Sequence, residues 1–131
     1  MILSVDTNIL VRLLVADDQN QARRARELFE GNQILIVTTV ILETEWVLRC
    51  AYGFDRQQIG DGFARLFGLS QVRLSQTQII RSALDGYKAG QDFADALHLA
   101  LNEPAEGFAT FDRKFIQSAA RLPGVIKVIE P

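Results

Sequence analysis

Short apolar runs alternate with helix-length segments along this chain, and this alternation is the feature that most constrains its fold. Strand-like runs occupy residues 2–5, 34–37, 72–74, 108–110 and 125–129. Between them, apolar residues recur at helical spacing. Strands separated by helices favour a mostly parallel sheet with helices on both faces. We therefore predict an α/β fold, a three-layer α/β/α sandwich around a central, mostly parallel sheet of four to five strands.

Local signals mark where the helices begin and end. Gly31 and Asn32 form a strong stop signal, and Thr38 and Thr39 are suited to capping the next helix. Predicted helices cover Ile9 to Leu14, the residues after Asp18, Thr38 to about Cys50, 55–67, Ser75 or Thr77 to Gly90, 92–102 and 113–120.

Length and composition indicate a small globular protein. The 131 residues are enough for a single domain, predicted over residues 1–131. A hydrophobic content of 48% argues against disorder. Cys50 is the only cysteine, so no internal disulfide can form. No apolar run approaches the roughly 20 residues that cross a bilayer, and no signal-like segment follows Met1. We therefore expect a cytoplasmic protein without a membrane association.

Four acidic residues stand at unusual places in this pattern. Asp6 and Asp112 directly follow strand-like runs, whereas Glu43 and Asp95 interrupt apolar helical stretches. A carboxylate on a buried face is costly unless something positive or hydrogen-bonding compensates it. Ligands of parallel sheets bind outside the carboxyl ends of the strands, where Asp6 and Asp112 are expected. The four acids therefore suggest a shared cation.

The residue types indicate which cation and which reaction. Carboxylates without His or Cys select hard cations, Mg²⁺ or Mn²⁺, over zinc. Such ions lower the pKa of bound water and hold a scissile phosphate for in-line attack. Phosphodiester hydrolysis is the reaction class that this chemistry favours.

Helix capping is an alternative interpretation of several of these acids. Asp6, Asp92 and Asp112 each precede a predicted helix, where Asp is a favoured cap. Asp95 has the spacing of a first-turn partner of Asp92. Glu43 has no capping explanation, because it lies one turn inside its helix.

Other polar and aromatic residues are better explained by structure than by catalysis. Glu45 is predicted to pair with Arg49 at i,i+4 spacing, and His98 is interpreted as an ordinary helix residue. Trp46 and the phenylalanines are predicted to lie in the core. The net charge of −2 excludes a strongly basic nucleic-acid binder but not nucleic acid. The cluster of Arg23, Arg24 and Arg26 either meets phosphate or forms a solvated helix face with Glu27 and Glu30.

Taken together, the motifs resemble those of PIN-domain ribonucleases, in particular the VapC-type toxins of bacterial toxin–antitoxin pairs. The resemblance spans the whole chain, and the matching segments occur in family order. They are Ser4-Val5-Asp6-Thr7-Asn8, Val40-Ile41-Leu42-Glu43-Thr44-Glu45-Trp46-Val47-Leu48, Asp92-Phe93-Ala94-Asp95-Ala96-Leu97-His98-Leu99-Ala100 and Ala109-Thr110-Phe111-Asp112-Arg113-Lys114-Phe115.

The resemblance implies an Mg²⁺- or Mn²⁺-dependent endoribonuclease with a PIN-like fold, silenced by a cognate antitoxin and usually homodimeric. Asp6, Glu43, Asp95 and Asp112 match the acidic quartet of the family, and Asp6 and Asp95 are the best candidates for direct metal ligands. Polar helpers that would orient water or carboxylates are Thr7, Asn8 and Thr110, and Asp92 lies near the third acidic position.

Other classes of protein fit less well. A haloacid-dehalogenase-like phosphatase needs a second acid where this chain has Asn8, and a receiver domain needs a phosphoacceptor where Thr38 and Thr39 follow a strand. A non-catalytic RNA-binding or scaffold protein of the same fold and a DNA-acting nuclease of related fold both remain open, since sequence cannot reveal a 2′-OH contact.

Overall fold

The computed structural model describes residues 1–122, 124 and 126–131. The chain divides into two compact units, Met1–Thr77 and Gln78–Pro131. In the described part of the chain, no helix has both the length and the apolar character that crossing a membrane requires.

The first unit contains a three-stranded parallel sheet and four helices. Its strands are β1 (Ile2–Ser4), β2 (Gln33–Ile36) and β3 (Val72–Leu74), and its helices are α1 (Thr7–Val15), α2 (Gln19–Gly31), α3 (Thr38–Cys50) and α4 (Arg56–Phe67). The strand order is β1-β2-β3, with Leu3 opposite Ile34 and Ile34 opposite Val72. Because all three strands are parallel, their carboxyl ends lie at one edge of the sheet.

The core of this unit forms around the central strand. Ile34 and Ile36 of β2 are fully buried, as are Leu10 of α1, Ile41 of α3 and Phe63 of α4. Burying a side chain of this size stabilises the fold by about 1.5–3 kcal/mol. Helix α1 packs against both α2 and α3, and this packing fixes the direction in which α1 leaves the end of β1.

Among its described residues, the second unit contains two parallel strands and three helices. They are α5 (Thr77–Lys88), which begins at the last residue of the first unit, α6 (Phe93–Leu101), β4 (Gly107–Ala109), α7 (Arg113–Ala120) and β5 (Lys127–Ile129). Phe108 of β4 lies opposite Val128 of β5. The rings of Phe108 and Phe115 stack with centroids 5.0 Å apart. Leu99 and Ala119 complete this small core.

A glycine of α5 lies at a close approach in the second unit. A Cβ atom at Gly86 of α5 would lie 2.9 Å from the Oε1 atom of Gln91 and 3.4 Å from the Cβ atom of Ala96. Just beyond α5, Gly90 has a φ of +110°, a conformation that glycine adopts readily. Gly90 ends the helix as the sequence predicts.

The predicted α/β class, the parallel strands and the order of the elements are confirmed. The sheets and several element bounds differ from the prediction. In the described part of the chain, the strands lie in one sheet of three and one of two, whereas one sheet of four to five was predicted. Strand β2 ends at Ile36 because Val37, predicted as its last residue, is the N-cap of α3. The predicted beginning of the last strand, Val125, lies outside the described residues.

Candidate active site

Asp6 lies where β1 has ended and α1 begins. Its backbone is extended, its side chain is exposed, and its Oδ1 atom accepts a hydrogen bond of 2.7 Å from the backbone N–H of Thr7. Asp6 is therefore an N-cap, and the positive end of the helix dipole favours its negative charge. Capping occupies one oxygen, and no hydrogen bond to Oδ2 is seen among the described residues. The cap thus orients the carboxylate and leaves an oxygen for a further partner.

Thr7 connects Asp6 to Glu43. The Thr7 side chain is only 6% exposed, and its hydroxyl donates a hydrogen bond to the Oε1 atom of Glu43 on α3. Its backbone N–H binds Asp6, so a single residue contacts two of the four predicted acids. Helix α3 begins immediately after β2, the neighbour of β1, and this topology brings Glu43 to the start of α1.

The exposure of Glu43 corrects one premise of the sequence analysis. Its side chain is exposed, whereas the buried face of α3 carries Ile41, Thr44, Glu45 and Leu48. Three of the four acids, those at positions 6, 43 and 112, are exposed rather than set on buried faces. Helix α3 is apolar around most of its circumference, so its sequence pattern did not reveal which face the core covers.

Two neighbours of Glu43 on α3 illustrate the same point. Glu45 is buried and forms the predicted i,i+4 ion pair with Arg49, with Oε2 2.9 Å from the guanidinium Nε. The prediction that Trp46 belongs to the core is wrong, because 56% of its surface is exposed. Phe111 is a second exception, with 75% exposed.

In the second unit, Asp92 and Asp95 lie on the first turn of α6. Asp92 is the N-cap of this helix, and its Oδ1 atom accepts a hydrogen bond of 3.0 Å from the backbone N–H of Asp95. The predicted capping role of Asp92 is confirmed. The side chain of Asp95 makes no reciprocal bond to Asp92 among the described residues, so it is available for another role.

The environment of Asp95 disfavours its negative charge. Partial burial raises the pKa of its carboxyl group, the charges of Asp92 and Asp112 raise it further, and His98 opposes the shift. Three carboxylates of the second unit therefore interact electrostatically. A cation near Asp95 would relieve the repulsion, because it favours the charged form of each acid.

Both the side chain and the backbone N–H of Asp112 form hydrogen bonds with residues close to it in sequence. It caps α7, with Oδ1 accepting a hydrogen bond of 3.1 Å from the backbone N–H of Phe115. Its own N–H donates to the hydroxyl of Thr110 at 3.0 Å. The N–H of Thr110 in turn donates to the carbonyl of Ile129 in β5. Thr110 thus links the orientation of Asp112 to the small sheet.

These residues have the right chemistry for a hard divalent ion, because they offer carboxylate oxygens without thiolate or imidazole ligands. No group of three or more His, Cys, Asp or Glu side chains ready to hold a metal ion is present among residues 1–122, 124 and 126–131. The structure brings together Asp6 and Glu43 in one unit and couples Asp92, Asp95 and Asp112 in the other. A shared metal centre remains a prediction.

A groove between α1 and α2, lined by both arginine and glutamate side chains, was not predicted from the sequence. It has a volume of about 860 Å³, and its lining includes Asn8, Arg12 and Arg24. The guanidinium of Arg12 is fixed by Asp17 at 2.8 Å and by the hydroxyl of Tyr52 at 3.1 Å. Tyr52 is distant in sequence, so only the folded chain reveals that Arg12 is oriented.

The predicted arginine cluster on α2 separates into different roles. Arg23 pairs with Glu27 at 2.9 Å in an exposed i,i+4 bridge, as the structural alternative predicts. Arg24 instead lines the groove beside Asn8. His98 is exposed, and its charge opposes the rise in the pKa of Asp95.

Comparison with known families identifies the family of the chain. The sequence profile of the PIN domain matches residues 3–121, a range that includes all four acids and most of each unit. No curated protein matches the chain significantly. Members of the PIN family are generally nucleases and generally use divalent metal ions. The chain belongs to the PIN-domain family.

Proposed function

We propose that this protein is an Mg²⁺- or Mn²⁺-dependent endoribonuclease of the VapC type, the toxin of a toxin–antitoxin pair. The observation that carries the proposal is the connection of Asp6 to Glu43 through the buried Thr7, at the carboxyl end of a parallel strand. This is where an α/β protein binds its ligand. A purely structural cap at Asp6 does not require a second acid hydrogen-bonded to the same threonine.

In this proposal Asp6, Glu43, Asp95 and Asp112 are the catalytic acids and hold the divalent ion, with Asp6 and Asp95 as direct ligands. These carboxylates would hold the ion, which when bound would lower the pKa of a water molecule and offset charge on the phosphate. Thr7 holds the carboxylates of Asp6 and Glu43, and a partner of this kind typically contributes 10–100-fold to metal affinity or activity.

The remaining polar residues orient these acids or the RNA. Thr110 positions Asp112 through its hydroxyl. Asp92 fixes the first turn of α6, and its charge adds to the repulsion that the ion would relieve. Asn8, exposed on the first turn of α1, opens onto the groove that contains Arg12 and Arg24.

The partners proposed are RNA, a cognate antitoxin and a second copy of the chain, with residues 1–131 acting as one nuclease domain in the cytoplasm. The exposed carboxylates of Asp6 and Asp112 support the antitoxin, because a cationic side chain from another protein can reach them and occupy the place of the ion. The protein should therefore be difficult to express alone and should co-purify with a small protein that has a basic tail.

Cleavage of single-stranded RNA by the purified chain tests the proposal. The wild type should cleave in Mg²⁺ or Mn²⁺ and stop in EDTA, and Asp6→Asn should not cleave although Asn still caps the helix. Asp61→Asn and Asp85→Asn, at exposed positions of α4 and α5, are matched controls that should retain activity.

Growth of expressing cells tests the toxin role separately. The wild type should halt growth, and cells should tolerate Asp6→Asn. Equal growth with both forms, together with RNA binding without cleavage, would favour the non-catalytic scaffold. Cleavage of single-stranded DNA at a rate equal to or above that of RNA would favour the DNA-acting alternative.

A further inference from the structure

Two polar side chains connect the ends of neighbouring strands at the edge of the sheet where Asp6 lies. The hydroxyl of Thr38, the first residue of α3, donates a hydrogen bond of 2.5 Å to the Oε1 atom of Gln76. Asp6, Thr38 and Gln76 each follow the end of a strand, namely β1, β2 and β3, by two residues. The hydrogen bond therefore joins segments 38 residues apart in sequence at the carboxyl edge of this sheet.

The sheet sets the distance between this pair and the proposed catalytic acids of the first unit. The strand order is β1-β2-β3, and neighbouring strands lie about 4.7–4.9 Å apart. The strands that lead to Thr38 and Gln76 are thus roughly 5 and 10 Å from the strand that leads to Asp6. Glu43 lies on the same helix as Thr38, about 7.5 Å farther along its axis. The pair is therefore beside these acids, where a nucleotide next to the scissile phosphate can reach it.

Helix capping does not explain the orientation of the Thr38 hydroxyl. The N-cap of α3 is Val37, which provides no side-chain hydrogen bond to the helix. Threonine near a helix start commonly bonds the backbone of its own segment, whereas this hydroxyl bonds a side chain of another segment. Burial does not explain the pair either, because Gln76 is exposed and water can satisfy its amide. The hydrogen bond instead gives the Gln76 amide a fixed orientation.

The pair still offers one hydrogen-bond donor and one acceptor. The Nε2 atom of Gln76 has two N–H donors, and no hydrogen bond from this atom is seen among the described residues. The Oγ1 atom of Thr38 donates its proton to Gln76 and can accept a hydrogen bond from another group. A hydroxyl group both donates and accepts, so it can bind the two residues together.

Among the groups of a nucleic-acid strand, the ribose 2′-OH suits this pair best. A phosphate oxygen only accepts hydrogen bonds and is bound most strongly by charged donors, whereas Thr38 and Gln76 are neutral. Reading adenine takes the oxygen and the nitrogen of a glutamine amide together, and the oxygen of this amide already accepts from Thr38. The 2′-OH is both a donor and an acceptor, and it is the group by which a protein distinguishes RNA from DNA.

We propose that Thr38 and Gln76 bind the 2′-OH of a nucleotide next to the scissile phosphate. The Nε2 atom of Gln76 donates to this hydroxyl, and the hydroxyl donates to the Oγ1 atom of Thr38. The pair thereby favours RNA over DNA as the substrate. This inference rests on the proposed ribonuclease function and adds two specificity-determining residues to it. Because water is the nucleophile in that function, the 2′-OH is recognised without being consumed.

Single 2′-deoxy substitutions in the substrate test this contact. A short single-stranded RNA that the wild type cleaves at one site is prepared with one deoxynucleotide at each position near the scissile phosphate in turn. For the wild type, one of these substitutions should lower kcat/KM by roughly 2- to 12-fold, the factor that one net hydrogen bond supplies. Thr38→Val and Gln76→Ala should cleave the all-ribose RNA more slowly by a similar factor. In both variants the deoxynucleotide at that position should cause no further loss.

The chain offers matched controls for both substitutions. Thr39→Val and Gln57→Ala remove the same polar groups at exposed positions of α3 and α4, and both should keep the full loss caused by the deoxynucleotide. Thr38→Ser retains the hydroxyl and should keep this loss as well. A hydrogen bond with only a structural role would affect the urea midpoint or the overall rate, but it would leave the loss caused by the deoxynucleotide unchanged.

The outcomes separate this inference from the proposed function. Wild-type cleavage without a loss at any deoxynucleotide, or a loss of wild-type size in either Thr38→Val or Gln76→Ala, would overturn the contact and keep the nuclease. A preference for adenine that disappears in Gln76→Ala, with the loss at the deoxynucleotide unchanged, would assign the amide to a base and also overturn it.

Binding measurements test the pair even if the protein does not cleave RNA, a result that would contradict the nuclease. The Kd values of the wild type and Gln76→Ala for the same labelled oligonucleotides are then compared by fluorescence anisotropy. A deoxynucleotide should weaken binding to the wild type by roughly 2- to 12-fold and should not weaken binding to Gln76→Ala. An equal weakening in both proteins would overturn the contact.

Discussion

Replacing Thr7 by Val should separate activity from stability. The Thr7 hydroxyl, buried beside α3, donates to Glu43, and Val has nearly the same shape without the donor. The backbone bond from Thr7 to Asp6 does not depend on the side chain. A net hydrogen bond contributes about 0.5–1.5 kcal/mol. Because Glu43 is exposed and water can replace the lost donor, we expect a cost near the lower end of this range.

The effect on catalysis should be much larger. A residue that orients a metal-binding carboxylate typically contributes 10–100-fold to activity, so RNA cleavage by Thr7→Val should fall by about that factor. Urea unfolding provides the second measurement. A loss of about 0.5 kcal/mol moves the urea midpoint by roughly 0.2–0.5 M at typical slopes. Thr7→Ser keeps the donor and should retain most of the activity.

Thr44 supplies a matched control for this substitution. It is fully buried on the same helix as Glu43, and its hydroxyl donates to the carbonyl of Val40 at 2.7 Å. Thr44→Val therefore removes a comparable hydrogen bond and should lower stability by a similar amount with activity unchanged. The reasoning is refuted if Thr7→Val cleaves RNA as fast as Thr44→Val does.

Two further predictions concern the second unit. Since burial and the charges of Asp92 and Asp112 raise the folded-state pKa of Asp95, stability is lost as pH rises from the ordinary Asp value through the raised one. Asp95→Asn should therefore raise the urea midpoint near neutral pH in metal-free buffer, and this increase should vanish below about pH 4. An equal increase in the midpoint at neutral pH and below pH 4 would contradict this prediction. Gly86→Ala should lower the urea midpoint by an amount equivalent to about 1–3 kcal/mol, because the added Cβ would lie 2.9 Å from the Oε1 atom of the buried Gln91. Gly→Ala inside a helix otherwise stabilises by about 1 kcal/mol. A rise in the urea midpoint would therefore contradict this prediction.

Much of the fold could be predicted because the signals are local. Gly31, Gly90 and the capping aspartates mark helix ends through their own conformational preferences, and the structure places the boundaries there. The strands are recognisable because each is a short apolar run next to a helix-length segment.

The predictions that failed concern residues whose surroundings depend on contacts distant in sequence. Trp46 was assigned to the core because α3 is apolar on most sides, and only tertiary packing decides which side is covered. The orientation of Arg12 could not be predicted, because the Tyr52 hydroxyl that accepts its hydrogen bond is 40 residues away in the sequence. For Asp6 and Asp112, capping and ligand binding appeared as alternatives, but a cap occupies one carboxylate oxygen and leaves the other, so both roles are compatible.

The central proposal is that Asp6 and Asp95 are direct ligands of a divalent ion, and a calorimetric Mn²⁺ titration tests it most directly. The wild type, Asp6→Asn from the first unit and Asp95→Asn from the second are compared, with Asp61→Asn and Asp85→Asn as controls. The account predicts that each of the first two variants weakens binding by at least about tenfold, and that the controls bind as the wild type does. Wild-type Mn²⁺ affinity in either Asp6→Asn or Asp95→Asn would contradict it.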